Sequence, residues 1–130
     1  MENLEYSDCK WFLPDFTEAK CIKVYDGDTM TVGLHFLNKA HKFNLRLVGI
    51  DTPELRGAKA NVAAAQKARD YVREKCLNKI VQVKLLGKDK YGRLLASVYS
   101  DSVCINEQLL KEKLAVPYMA NKNATYFRLP

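Results

Sequence analysis

The apolar residues of this chain change their period in an order that few folds accommodate. From Ala19 onward they recur at every second position: Ile22 and Val24, then Met30, Val32, Leu34 and Phe36, then Phe43, Leu45 and Leu47 with Gly49. Side chains alternate across a strand, so these runs predict three consecutive strands, each with one buried face. Asp26-Gly27-Asp28 separates the first two and Asn38-Lys39 the next two, both rich in residues that favour tight reversals. Between Asn61 and Leu77 the spacing lengthens. Ala65, Ala68, Val72 and Cys76 fall on one helical face, with Lys67, Arg69, Arg73 and Glu74 elsewhere. Asn61 is placed to cap the start of this helix and Asn78 to end it. Alternation returns at Val81, Val83 and Leu85, and again at Leu94, Ala96 and Val98, across a charged turn from Gly87 to Gly92. A second helix is predicted from Ile105 to Lys113, with Ile105, Leu109, Leu110 and Leu114 as its apolar side.

Three strands, a helix, two strands and a helix suit a mainly β protein with helices (α+β). The expected architecture is a five-stranded barrel of the oligonucleotide-binding (OB) type, with two or three helices packed against it. An open sheet with two helices has the same order of elements. The 130 residues fit one domain. Residues 1–18 show no clean period, and Trp11, Phe12, Leu13, Pro14 and Phe16 make them an expected arm packed onto a domain spanning 19–130.

Lys and Arg total 21 against 15 Asp and Glu, a net charge of +6. That excess suits a polyanionic partner, but a merely solvated lysine surface has the same balance. No apolar run reaches membrane-spanning length, so no membrane partner is expected. Cys9, Cys21, Cys76 and Cys104 form no CxxC pair, which argues against zinc. Cys21 and Cys104 have apolar neighbours and read as core. Reduced thiols are expected, with a Cys9–Cys21 disulfide as the alternative. Met1 to Lys20 carries Glu2, Glu5 and Asp8 and lacks the basic-then-apolar order of a secretory signal. An intracellular setting, cytoplasmic or nuclear, is therefore expected.

Three polar clusters fall at strand ends. Tyr25-Asp26-Gly27-Asp28-Thr29 reads by itself as a plain hairpin turn. Arg46 to Glu54, RLVGIDTPE, ends in Thr52-Pro53-Glu54, which could equally start a helical turn with Thr52 as cap. Arg46 is out of phase with Phe43, Leu45 and Leu47 and points away from their core face. Asp89-Lys90-Tyr91-Gly92-Arg93 alone is an ordinary solvated turn. Taken together, the clusters offer what phosphodiester hydrolysis requires. Asp28 and Asp51 can present anionic oxygens to a hard cation, Ca²⁺ or Mg²⁺, between which the residues do not choose. Glu54 can act as base to a water, and Arg46 and Arg93 can fork onto phosphate oxygens. His35 and His41 flank a turn without metal-binding spacing, and no Ser or Cys nucleophile has an evident His–acid partner.

DGDT, RLVGIDTPE and DKYGR, in this order and with a helix between the last two, resemble the staphylococcal nuclease family from about Lys20 to Tyr118. The resemblance implies the five-stranded OB-type barrel. It implies a calcium-dependent endonuclease acting on DNA or RNA and leaving 3′-phosphate and 5′-hydroxyl ends. It assigns Asp28 and Asp51 to the cation, with Thr52 donating its carbonyl. It assigns Glu54 to the attacking water and Arg46 and Arg93 to the reacting phosphate. Lys90, Tyr91 and Tyr118 match substrate-contacting positions, and Arg56, close behind Glu54, adds a further phosphate-binding candidate. The stretch from Leu55 to Asn61 is shorter than the family's mobile loop, and the end at Pro130 leaves little room for a final helix. The competing expectation is a noncatalytic nucleic-acid-binding or interaction module of the same fold. All five matched side chains are present, which favours the enzyme. A monomer without an obligate protein partner is expected.

Overall fold

The computed structural model describes residues 1–55 and 61–118. A short 3-10 turn at Tyr6–Asp8 precedes three long strands, β1 (Glu18–Asp26), β2 (Thr29–Phe36) and β3 (Lys39–Leu47). A two-residue strand, β4 (Ile50–Asp51), follows, then helix α1 (Val62–Cys76). The remainder comprises β5 (Ile80–Lys88), β6 (Leu94–Ser100), β7 (Val103–Cys104), helix α2 (Ile105–Lys111) and β8 (Val116–Pro117). β3, β2, β1, β5 and β6 pair antiparallel in that order, and a parallel pairing of β3 with β6 closes them into a five-stranded barrel with two helices. No helix among the described residues is long and apolar enough to cross a membrane.

The predicted alternation fills this barrel. Met30, Val32, Leu45, Leu47, Val81, Val83, Ala96 and Val98 are all buried in one core. Truncating such a leucine to alanine typically costs about 2–5 kcal/mol, so the pattern fixes the inward face strongly. α1 buries Ala65, Ala68, Val72 and Cys76, the face read from the sequence. The Asn61 carboxamide accepts the Ala64 N–H at 3.1 Å and caps the helix. Asn78 follows in the left-handed conformation that ends it, with φ of 65°.

Four local expectations are corrected. Ile22 does not enter the core. A bulge between Cys21 and Lys23 inserts one residue into β1, and Ile22 turns outward, 41% exposed, while Cys21 takes the inward place. The β2–β3 reversal uses Leu37 and Asn38, with φ of 53° and 65°, one residue earlier than read. Two consecutive left-handed residues match the twist of the flanking strands, so the turn can be this tight. α2 ends at Lys111. Cys104 is only half buried, and all four cysteines are free thiols.

Phe12, Phe16 and Thr17 lie along the outside of the barrel. Phe12 packs at 5.9 Å from Phe36 and Phe16 at 5.4 Å from Phe43, ring centre to ring centre. The Thr17 carbonyl accepts the Val83 N–H at 2.8 Å. A pairing the periodicity did not suggest joins β4 to β8, with Ile50 opposite Pro117 and Asp51 opposite Val116. It carries the segment after α2 to the loop that holds Asp51.

Candidate active site

The β1–β2 reversal is built around a glycine that cannot carry a side chain. A Cβ on Gly27 would meet Thr52 Cγ2 at 2.7 Å and Ala68 Cβ at 2.9 Å. The turn, the loop after β4 and helix α1 therefore touch at one point. Beside it, the Asp28 carboxylate is buried. Its Oδ2 accepts the Thr52 N–H at 3.1 Å, and its Oδ1 accepts the Thr29 hydroxyl at 3.2 Å. Register does the rest. Thr29 stands opposite Arg46 in the β2–β3 ladder, so Arg46 emerges beside Asp28. Its Nη1 lies 3.5 Å from Asp28 Oδ2 and its Nη2 3.7 Å from Asp51 Oδ1. Nη1 also donates to the Leu47 carbonyl at 2.7 Å, which fixes the plane of the guanidinium.

Three carboxyls share this neighbourhood, and their proton affinities separate. Burial and the adjacent Asp28 carboxylate push Asp26 up to about 7. Burial also opposes ionisation of Asp28, but the hydrogen bond with Asp26, the Arg46 charge and the Thr52 amide outweigh it and hold its pKa below the usual value. Asp51 is raised by burial and by Asp28, with Arg46 opposing and Glu54 adding to the rise. The Asp28 and Asp51 carboxyls thus share one guanidinium, at 3.5 and 3.7 Å. A divalent cation would offset their negative charge, and two carboxylates with a neighbouring backbone carbonyl are all-oxygen donors of the kind Ca²⁺ or Mg²⁺ takes. Among the described residues no three His, Cys, Asp or Glu side chains cluster as a complete metal cage.

Glu54 is exposed and lines a cleft of about 280 Å³ with Asp51, Thr52 and Pro53 on one wall and Lys113 to Val116 on the other. Its backbone carbonyl accepts the Asn61 N–H at 3.1 Å, which ties the loop to the start of α1. Thr52 to Leu55 form no helical turn. Tyr118 donates its N–H to the Gly49 carbonyl at 3.0 Å, and its ring centre lies 5.4 Å from the Arg46 guanidinium carbon. Arg56 lies outside the described residues.

The third cluster is organised by itself. Asp89 Oδ1 accepts the backbone N–H groups of Tyr91 and Arg93, both at 2.9 Å, and its Oδ2 accepts Arg93 Nε at 2.6 Å. The Tyr91 ring, 73% exposed, lies 5.2 Å from Lys90 Nζ and 5.7 Å from the Arg93 guanidinium carbon. Among the described residues no ion pair joins this turn to Asp28, Arg46 or Asp51. What joins them is the barrel closure, which sets Leu94 beside Leu45 and Leu95 beside Arg46. Arg93 thus precedes the strand that runs alongside Arg46.

Sequence reading passed over three residues that build this site. Asp26 accepts the Asp28 N–H at 3.1 Å and carries the raised pKa. Asp89 holds Arg93, and its spacing four residues ahead of an arginine was the available signal. Buried Asn106 accepts the Val98 N–H at 3.0 Å and donates to the carbonyls of Val48 at 3.0 Å and Ala96 at 3.2 Å. It ties α2 to the end of β3, and a lone amide on an apolar helix face was its signal.

Comparison with known proteins points the same way. The family model for staphylococcal nuclease homologues matches residues 44–128. A thermonuclease of Staphylococcus hyicus is 34% identical over 110 residues, 82% of this chain and 63% of that protein. An uncharacterized endonuclease of Haemophilus influenzae is 34% identical over 101 residues, 77% of this chain and 52% of that protein. A probable staphylococcal-like nuclease of Oryza sativa subsp. japonica is 32% identical over 81 residues, 62% of this chain and 23% of that protein. The chain thus spans less than two thirds of the length of these relatives.

Proposed function

This chain belongs to the staphylococcal nuclease homologue family, and from that premise we propose that it hydrolyses phosphodiester bonds of DNA or RNA with the help of a divalent cation, calcium, leaving 3′-phosphate and 5′-hydroxyl ends. The observation that carries the reading is the convergence of Asp28, Arg46 and Asp51, from three separate segments, within one guanidinium's reach. Asp28, Asp51 and the Thr52 carbonyl would hold the cation. When bound, it supplies positive charge against the negative charge that builds on the phosphate oxygens.

The protein's own groups supply the rest. Glu54, at the mouth of the cleft beside Asp51, takes a proton from the attacking water as its oxygen bonds to phosphorus. The bond from phosphorus to the 5′ oxygen breaks, and that oxygen takes a proton from solvent water and leaves as the hydroxyl. Arg46 and Arg93 donate to the non-bridging oxygens, where charge develops. Asp89 engages Arg93 through Nε, and among the described residues neither terminal amino group has an acceptor, so both can turn to phosphate. Lys90, Tyr91 and Tyr118 contact the flanking nucleotide.

Glu54→Gln tests the reading. With single-stranded DNA and RNA as substrates and calcium present, kcat falls by about 10²–10⁴ while oligonucleotide binding persists. Parallel reactions in magnesium and in chelator identify the cation, and end analysis identifies the scissile bond. Undiminished turnover by the variant removes Glu54 from its role. Wild-type protein inert with every cation removes the enzymatic reading.

A further inference from the structure

A second surface extends from the candidate site. Strand alternation puts Arg46, Asn44, Lys42 and Ala40 on one outer face of β3, and Thr29, Thr31, Gly33 and His35 on the same face of β2. The registers align these into rows. Thr29 stands beside Arg46; Lys23, Thr31 and Asn44 form the next row; Ile80, Lys20, Gly33 and Lys42 form the third. In this third row the two lysines lie two strands apart, roughly 10 Å, with a glycine between them. The space is real: a broad open groove of about 740 Å³ lies over these residues. Between the lysines its floor is apolar, formed by Ile22, which the β1 bulge turns outward over Gly33, and beyond Lys20 the apolar surface continues to Ile80, 61% exposed. Among the described residues Glu18 is the one acid lining it, and its carboxylate accepts the Gln82 amide at 3.4 Å.

We propose that this groove is an extended substrate subsite, which holds a single strand of nucleic acid a few nucleotides away from the phosphate at Arg46. The inference rests on the nuclease reading and deepens it. Lys42 lies four residues from Arg46 along one strand, roughly 13 Å, and no acid intervenes on this face of β2 or β3. Lys20 and Lys42 flank the trough as partners for backbone phosphates, and Lys23 marks the path between. The apolar floor takes the flat faces of bases, a recognition that tolerates any sequence. Only unpaired bases can turn their flat faces onto this floor, so the occupant is one strand.

The test compares a trinucleotide with a dodecanucleotide. Binding of single-stranded DNA is measured by fluorescence anisotropy in chelator over a range of salt, and KM is measured with calcium. In wild-type protein the longer strand binds more tightly and has the lower KM. In Lys20→Ala/Lys42→Ala the advantage of length shrinks about tenfold, and the slope of log affinity against log salt becomes shallower by about 1.4, the loss of two single-strand phosphate contacts. Gly33→Val gives the same length-selective loss by filling the trough. Its added Cβ makes ordinary contacts with Ile22 at 3.5 Å and the His41 carbonyl at 3.8 Å, and the unfolding midpoint measured alongside confirms that the variant is folded. An unchanged advantage of length in both variants overturns the subsite while leaving the nuclease reading intact. So does lysine-dependent binding to anionic lipid vesicles without any effect on oligonucleotides. Wild-type protein that neither binds nor cleaves any strand overturns both.

Discussion

The two arginines proposed to meet the phosphate are held in opposite ways. Arg46 is positioned by distant parts of the chain: Asp28 from the start of β2, Asp51 from β4, Tyr118 from beyond α2, and behind them a turn pressed onto α1 at Gly27. Arg93 is positioned by its own turn, through a carboxylate four residues earlier that binds its side chain and its backbone together. The difference separates what the fold must achieve from what a short peptide achieves by itself. Damage to packing reaches Arg46 first, whereas among the described residues the polar contacts of Arg93 all come from its own turn.

The sharpest way to break the comparison is to replace each arginine with lysine, which keeps the charge and loses the fork. Either change is expected to lower kcat by about 10²–10³, roughly 3–4 kcal/mol of transition-state stabilisation. Only Arg46→Lys should also lower the denaturation midpoint, because Asp28 and Asp51 lose their shared partner. Equal stability losses in the two variants would contradict the contrast. Next comes Gly27→Ala. The added methyl must displace Thr52 and Ala68, and such overpacking costs about 1–3 kcal/mol. Urea unfolding gives the loss, and calcium affinity should fall with it, because Thr52 moves relative to Asp28. Asp89→Ala should cost less, about 1–2 kcal/mol, and lower kcat while leaving calcium affinity unchanged. A change in calcium affinity would show that the two clusters are coupled after all.

A pH dependence of stability is also expected in cation-free protein. The Asp26 carboxyl rises from its ordinary 3.8 to about 7 in the folded state. Between those values the folded chain binds more protons than the unfolded chain, so stability is greatest at the acidic end and declines as pH rises toward 7. Asp51 is shifted in the same direction and adds to the decline. Asp28, shifted downward, acts oppositely and only below its ordinary value. Saturating calcium should flatten the profile by compensating the carboxylate charges. Thermal midpoints across the range, with calcium and with chelator, measure both effects.

Much of the barrel was legible because each inward position is repeated. Met30 and Val32, Leu45 and Leu47, Val81 and Val83 report the same face twice, so one irregularity does not erase the pattern. Ile22 was misread because a bulge adds a residue without leaving a mark in the hydrophobic order, and both Ile22 and Lys23 turn outward where one was expected. The β4–β8 pairing was invisible for a different reason. Two strands of two residues each have no period to detect.

The amino-acid sequence alone determined which faces are apolar, where α1 begins and ends, and that acids and arginines gather at three strand ends. Those properties depend on neighbours within a few residues, and local chemistry decides them. Only the tertiary structure decided that Asp28 faces Asp51 across one guanidinium, that Gly27 lies against Thr52 and Ala68, and that Lys20 and Lys42 stand on either side of Gly33. Each depends on strand register and barrel closure, which are set by how whole elements pack rather than by any one segment's preference.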